Sequence, residues 1–395
     1  MAKVKDIAMQ IRGVSYHPED LHDNLDEDSV VLLRANNIKD GKLILDNVVY
    51  VSKSKVAEQQ YLQTGDILIC ASSGSKELVG KAAFVDSVKN PMTFGAFCKV
   101  VRPQPEYSEY LEHYFNSPVY RRKISALSAG ANINNIKNEH IDNLDIQLVD
   151  EKERREIITI LNELNMLISL RNQQLFKLDE LVKARFVEMF GDPINNPMKW
   201  IVSKIEDIAV QEKNALKAGP FGSALKKEFY VKSGYKIYGQ EQVICGDASF
   251  GDYYIDEEKY KELKNCAVQA GDILISLVGT YGKTLIMPDN YEAGIINPRL
   301  MKITLNKNKV TPIYFKYYFE SNALKASMDA NTHGGTMGIL NLGIIRQMKI
   351  QVPPLSLQNQ FAAFVERVDQ QKQTVQQSLE KLELMKKALM QEYFG

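Results

Sequence analysis

The stretch TGDILIC occupies residues 64–70, and AGDILIS occupies residues 270–276 of the same 395-residue chain. A Gly-Asp turn leading into a short apolar run is a common entry to a buried β-strand, so one copy says little. Two copies point to a longer repeat. Displacing the sequence by 204 residues brings LLRANNI (32–38) onto KIYGQEQ (236–242), VVYVS (48–52) onto DYYID (252–256) and EHYFNSP (112–118) onto KYYFESN (316–322). The same displacement brings SAGANINNIKNEHIDNLDI (128–146) onto THGGTMGILNLGIIRQMKI (332–350) and ARFVEMFG (184–191) onto ALMQEYFG (388–395). The GDILI phrase lies two residues off, as a small loop insertion would place it. One displacement held across separate blocks implies an internal duplication.

Each half has the same internal order. About 150 residues of short β-type runs and Gly/Asn/Asp turns precede about 40 residues of helical periodicity. The first helical segment is expected to open at Asp150, with Glu153 completing a capping box, and to close at Gly191 before Asp192-Pro193. The second follows Pro353-Pro354, with Ser356 as the expected N-cap, and runs to Gly395. Ile157, Leu164 and Leu178 share one heptad position, and Leu161, Ile168, Leu175, Val182 and Met189 share the other. In the second segment the seam is Phe361, Val368, Val375, Leu382 and Leu389, joined by Val365, Leu379 and Tyr393, with Arg171, Arg185, Lys372 and Lys386 as interruptions. Matching seams predict an antiparallel coiled coil of helices about 60 Å long. The rival packing sets each helix on its own globular domain. The expected architecture is α+β: mixed α/β domains at 1–150 and 191–352, helical segments at 151–190 and 353–395, and a pseudo-twofold internal repeat.

Apolar residues make up 45% of the chain and charged residues 25%, an ordinary balance for a folded protein. The N-terminus has no apolar core of signal-peptide length and no run reaches bilayer-spanning length, so a cytoplasmic location without membrane attachment is expected. Cys70, Cys98, Cys245 and Cys266 form no CxxC pair and read as reduced structural thiols. GTYGKT (279–284) ends like a phosphate-binding loop, but Leu277 stands where the pattern needs glycine. VPPL (352–355) lacks the residue that opens an amino-methyltransferase motif, and PDNYEAG (288–294) lacks the lysine two residues after Glu292 of a nuclease core. The five histidines make no metal-binding spacing. The acidic run EDLHDNLDED (19–28) reads as a solvated loop. No catalytic or metal site is expected.

The remaining polar clusters suit the reading of nucleic acid. Arg34, Asn36 and Asn37 combine the residue types that pair bidentately with guanine and adenine, although the asparagines equally suit a turn. Arg121, Arg122 and Lys123 are the densest basic cluster of the first half, followed by the Asn-rich ANINNIKN with Asn134 and Lys137; together they suit a phosphate-contact strip, and a solvated helix end nearly as well. In the second half, KAGPFGSALKKEFY (217–230) offers Lys217, Ser223, Lys226 and Lys227 around a Gly-Pro turn. Tyr238, Gln240, Tyr281 and Lys283 complete the DNA-binding candidates.

With these features the chain resembles the specificity subunit of type I restriction-modification enzymes over its whole length. AGPFGSALKKEFY resembles the opening of that family's recognition domain, and GYKIYGQEQV stands where its strand and Arg-Gly-Asn-type turn belong. Both GDILI phrases, VPPLSLQNQ before the distal helix, and the endings ARFVEMFG and ALMQEYFG also match. The first domain departs from the pattern, with RGVSYHPED (12–20) in place of GPFGS, which implies a different DNA target. The resemblance implies a non-catalytic subunit that reads a bipartite target in double-stranded DNA. It also implies two methyltransferase and two restriction motor-nuclease partners, with S-adenosylmethionine, ATP and Mg2+ on those partners and no cofactor in this chain. The rival functions are a stand-alone DNA-modifying enzyme and a coiled-coil adaptor with no DNA role. The 49 basic and 49 acidic residues cancel overall. Residues 1–150 carry 17 basic and 20 acidic side chains, and residues 191–352 carry 20 and 17. Weak, salt-dependent DNA binding by the isolated chain follows.

Overall fold

The computed structural model describes residues 1–127, 134–331 and 340–395, without the side chains of Asn134, Gly222, Ala330 and Asn331. The chain divides into two compact units, Met1–Gln173 with Gln376–Gly395, and Gln174–Val375. Each unit therefore takes one half of each long helix together with one sheet-rich body.

The two bodies repeat one topology. In the first unit the strand order is Ala8–Arg12, Cys98–Pro103, Ile67–Cys70 and Ala82–Phe84, all antiparallel, extended by Gly41–Leu43 and Ile38–Lys39. In the second it is Leu216–Ala218, Leu300–Ile303, Ile273–Ser276 and Thr284–Ile286, again antiparallel. A second sheet in each body pairs one strand with a parallel and an antiparallel neighbour. Ser29–Leu33 lies between Met92–Phe94 and Val49–Ser52, and Tyr235–Tyr238 lies between Gly294–Ile296 and Tyr254–Ile255. A two-stranded ladder recurs as well, Ala2–Lys3 with Asp145–Ile146 and Ile201–Lys204 with Lys349–Val352.

The repeated GDILI phrase has a physical cause. Gly65 and Gly271 sit at φ of 92° and 79°, where a side chain is strained. The next residue turns inward, and the ILIC and ILIS strands that follow are buried along their whole length. Asp66 accepts from Nε and Nη2 of Arg102 at 2.7 and 2.8 Å, and from the Gln63 N–H at 2.8 Å. Asp272 accepts from Nζ of Lys302 and the Gln269 N–H, both at 3.0 Å, and from the Thr304 hydroxyl at 2.5 Å. Both carboxylates are almost wholly buried, so each must be paired.

The central helix spans Glu151–Phe190, and the C-terminal helix spans Leu355–Phe394. Asp150 caps the first, accepting from the Glu153 N–H at 2.9 Å, and Gly191 ends it at φ of 79°. Ser356, expected as the second N-cap, lies inside the first turn. The Pro354 carbonyl already accepts from the Leu357 and Gln358 N–H groups, so the helix starts two residues earlier, at Leu355. The helices pair antiparallel. In the first unit Arg171 Nε donates to Ser378 Oγ at 3.2 Å, and Ile157, Leu161 and Leu164 share a core with Met390 and Phe394. In the second, Lys372 meets Asp179 at 2.6 Å, and Val182, Phe186 and Phe190 pack with Phe361, Val365 and Val368.

Burial along the seam is complete near the helix ends and partial at Ile168, Arg171, Leu175 and Leu178. On the facing helix Val375 and Leu379 stay buried at this level, and toward the ends a globular body also covers the helices. Both packings foreseen from the sequence are therefore present, in different stretches. At the ends the core position moves from Met189, Leu389 and Tyr393 to Phe186, Phe190, Met390 and Phe394. Phe190 meets Tyr314 at a centroid distance of 4.8 Å, and Phe394 meets Tyr110 at 5.1 Å. The two tyrosine hydroxyls donate to matching carbonyls, Gln351 at 2.8 Å and Gln147 at 2.9 Å.

Candidate nucleic-acid interface

In the second unit four loops meet at one end of the strands. The strand Tyr235–Tyr238 ends at Gly239, whose N–H donates to Oε1 of the buried Gln242 at 2.8 Å, and the Gln242 amide nitrogen donates to the Phe250 carbonyl at 2.7 Å. Beside it runs the turn 297–299, whose Asn297 N–H donates to the Tyr238 carbonyl at 2.8 Å. Gly219 presses on that turn so closely that a Cβ would stand 1.9 Å from the Asn297 carbonyl oxygen, which explains the glycine. The loop 277–283 hangs from the same turn through the Leu277 N–H and the Arg299 carbonyl at 2.9 Å, and the Gln240 side chain donates to the Val278 carbonyl.

The first unit builds the same face. A Cβ on Gly13 would stand 2.2 Å from the Gly95 carbonyl oxygen, and the Gly95 N–H donates to the Leu33 carbonyl at 2.9 Å. The Arg34 N–H donates to Oδ1 of Asn37 at 2.9 Å, and the Asn37 amide nitrogen donates to the Ile44 and Asp46 carbonyls at 2.8 and 3.1 Å. The Ala71 N–H donates to the Phe97 carbonyl at 2.8 Å, as Leu277 does to Arg299. Loops 13–17, 34–37, 71–81 and 95–97 thus answer to 219–223, 239–242, 277–283 and 297–299.

This correspondence corrects the pairing of the repeats. Arg34 falls on Gly239 and Asn37 on Gln242, a displacement of 205, while Gly13 falls on Gly219 at 206 and Gly95 on Asn297 at 202. Loop length differences consume the one constant displacement. RGVSYHPED therefore retains the glycine contact of GPFGS although the wording has changed.

Several candidates are structural. Asn37 is fully buried and its amide bonds to three backbone groups, so it holds the turn and cannot reach a base. Tyr238 is also fully buried, with its hydroxyl donating to the Glu292 carbonyl at 2.6 Å. Arg121 donates to the Val79 and Glu77 carbonyls at 2.7 and 3.2 Å, anchoring loop 71–81 from behind. Arg122 donates to the Gln391 side chain, and Lys123 donates to the Asp145 carbonyl at 3.3 Å, so this cluster serves packing before any phosphate strip.

Others stand on or near the loop face. Asn36 is exposed, and the half-buried Arg34 guanidinium donates to the Asn47 carbonyl at 3.4 Å. Ser223, Lys226, Lys227 and Lys283 are exposed, with Lys226 lying 3.4 Å from Glu228. Lys217 is half-buried in its strand, Gln240 braces Val278, and the Tyr281 hydroxyl donates to the Asp329 carboxylate. Asn134 pairs through its backbone with Ser73, and the exposed Lys137 lies 3.5 Å from Glu139. Residues 131–133 of the Asn-rich segment, and 332–339 of its repeat, lie outside the described residues. The sequence reading missed Lys76, Lys81, Phe97, Phe221 and Arg299, all exposed on these loops. The correspondence of strand ends, invisible without the fold, is the signal that finds them.

Lys236 does supply the cation absent from PDNYEAG, its Nζ 2.7 Å from Glu292 Oε1, but it is buried and donates to the Ser249 carbonyl at 2.8 Å, a strut in the core. Among the described residues no cluster of His, Cys, Asp and Glu could hold a metal ion. A cavity of about 1140 Å³ in the first unit is lined by Thr64, Asp66, Arg102 and Glu112, at the opposite end of the strand Ile67–Cys70 from the loops. Burial, then Asp86 and Glu109, push the Glu112 carboxyl up to about 7.

The family model of the type I restriction modification DNA specificity domain matches residues 197–384. Over 94% of its length the chain is 31% identical to the type I restriction enzyme EcoKI specificity subunit of Escherichia coli (strain K12), covering 81% of that protein. The chain belongs to the type I restriction enzyme specificity subunits. The specificity subunit is also 28% identical to the StySPI specificity subunit of Salmonella potsdam, over 93% of this chain and 81% of the relative. Among solved structures, a chain from work on complex assembly and conformational transition of the type I R-M system matches with a TM-score of 0.60 at 16% identity, covering 99% of this chain and 96% of its own. The S subunit from M. genitalium matches with a TM-score of 0.51 at 14% identity, covering 100% and 95%. These likenesses show that the specificity subunit shares their fold.

Proposed function

We propose that this specificity subunit reads a bipartite target in double-stranded DNA, one half-site per loop face, and holds two methyltransferase and two restriction motor-nuclease subunits without catalysing either reaction. The observation that carries the reading is the same four-loop face built twice on a duplicated chain, since two faces of one construction suit two half-sites. Exposed Asn36, Ser223 and Arg299 supply donors for base edges, and Lys76, Lys81, Lys226, Lys227 and Lys283 suit phosphates. The faces differ in side chains and so in target. The second domain is the more basic, with 20 basic and 17 acidic side chains in residues 191–352 against 17 and 20 in residues 1–150.

A chain with no net charge cannot neutralise a long duplex alone, so the partners carry much of the phosphate contact. The methyltransferases bring S-adenosylmethionine, which donates the methyl group to an adenine turned out of the helix, and the restriction subunits bring ATP and Mg2+. Among the described residues no helix is long and apolar enough to cross a membrane, which suits a cytoplasmic DNA-bound assembly. Purification from the native host tests the assignment. A methyltransferase is expected to co-purify at about two copies per chain, and the chain freed of it is expected to transfer no methyl group. Methyl transfer by the isolated chain, or a complex without a methyltransferase, contradicts the proposal.

A further inference from the structure

We propose that Phe221 and Phe97 are apolar wedges that press between base pairs of the two half-sites, one ring on each recognition face; this rests on the DNA-reading function above. Phe221 is 89% exposed and Phe97 is 71% exposed, both on the loops just described. The loops that carry them are neighbours in each unit, joined where Gly219 meets Asn297 and where Gly13 meets Gly95. Phe97 corresponds to Arg299 of the second unit, and Phe221 corresponds to Ser15 of the first. Each face therefore presents one phenylalanine at the same seam, contributed by the opposite loop.

The backbone beneath each ring is fixed. The Phe97 carbonyl accepts from the Ala71 and Ser72 N–H groups at 2.8 and 3.0 Å, and the Phe221 carbonyl accepts from the Ala224 N–H at 2.9 Å. At Gly219 and Gly13 the two loops of each pair lie in close backbone contact, which ties them to each other. The loops of each face also carry polar and cationic side chains, Ser223, Lys283 and Arg299 on one and Arg34, Asn36 and Lys76 on the other. An apolar ring projecting from a rim of hydrogen-bond donors and positive charge fits the stacked interior and charged backbone of a duplex. Unstacking a step beside the target also lowers the cost of turning an adenine out.

The test uses the complete complex and a duplex carrying the motif methylated in the host, with 2-aminopurine placed in either half-site. Phe221→Ala and Phe97→Ala are each expected to weaken binding by about 10- to 100-fold. Each should abolish the fluorescence rise in its own half-site only, leave the salt dependence of binding unchanged, and be rescued by tryptophan at the same position. Lys283→Ala serves as the contrast, since loss of a phosphate contact lowers the salt slope by about one. Two alanine variants that bind as tightly as the parent overturn the wedge, as does loss of a partner subunit with DNA affinity intact, which makes the rings a protein-docking surface. A parent complex that binds target and scrambled duplexes alike overturns the DNA-reading function itself, and the wedge with it.

Discussion

Lengthening both helices by four residues, after Asn172 and after Gln377, is expected to widen the gap in the DNA target by about one or two base pairs while both half-sites keep their sequence. The two points lie at one level of the helix pair, because Arg171 bonds Ser378. Four residues add about 6 Å of helix, and B-DNA rises about 3.4 Å per base pair. The insert turns the seam about 40° beyond a full turn, which a coiled coil absorbs as a stutter. Ile168, Leu175 and Leu178 are only half-buried, so disturbing the seam there costs less than at its fully buried ends. Inserts of two residues turn Leu175, Leu178 and Val182 away from their partners, and methylation should be lost. Genome-wide mapping of methylated adenine reads both outcomes. An unchanged gap with full methylation in the four-residue variant means that the helices are not the ruler.

Asp272→Ala is expected to destabilise the second unit by about 3–5 kcal/mol, the cost of leaving a buried ammonium without its partner. Lys302 Nζ finds its carboxylate in Asp272, and its side chain is 9% exposed, so water cannot replace the lost charge. Asp66→Ala should cost less, since Arg102 is 16% exposed and still donates to the Tyr61 carbonyl at 2.8 Å. Adding Lys302→Met to Asp272→Ala should recover most of the loss by removing the stranded charge. Urea unfolding of the four proteins gives the comparison. Equal small losses for both aspartates would show that the buried pairs contribute little.

Much of this architecture is legible in the chain. The Gly-Asp phrases marked turns because φ above zero and a buried carboxylate restrict both residues. The heptads marked the helices because a seam needs one face every 3.5 residues. The ends of the seam were not legible, since Phe190 and Phe394 answer to Tyr314 and Tyr110 of a globular body that periodicity does not include. The interface was half legible. Polar type selected Asn36 and Asn37 equally, but hydrogen bonding buries the second and leaves the first free to solvent. Phe97, Phe221 and Arg299 escaped because their significance lies in two loops that meet only after strands far apart in sequence pair.

The central claim, two independent readers on one duplicated chain, is tested most directly by replacing residues 192–352 with the second recognition domain of a relative that methylates a different motif, then mapping methylated adenines across the genome. A hybrid motif is expected, in which one half-site is the relative's and the other is unchanged. Alteration of both half-sites together, or retention of the original motif, would contradict it.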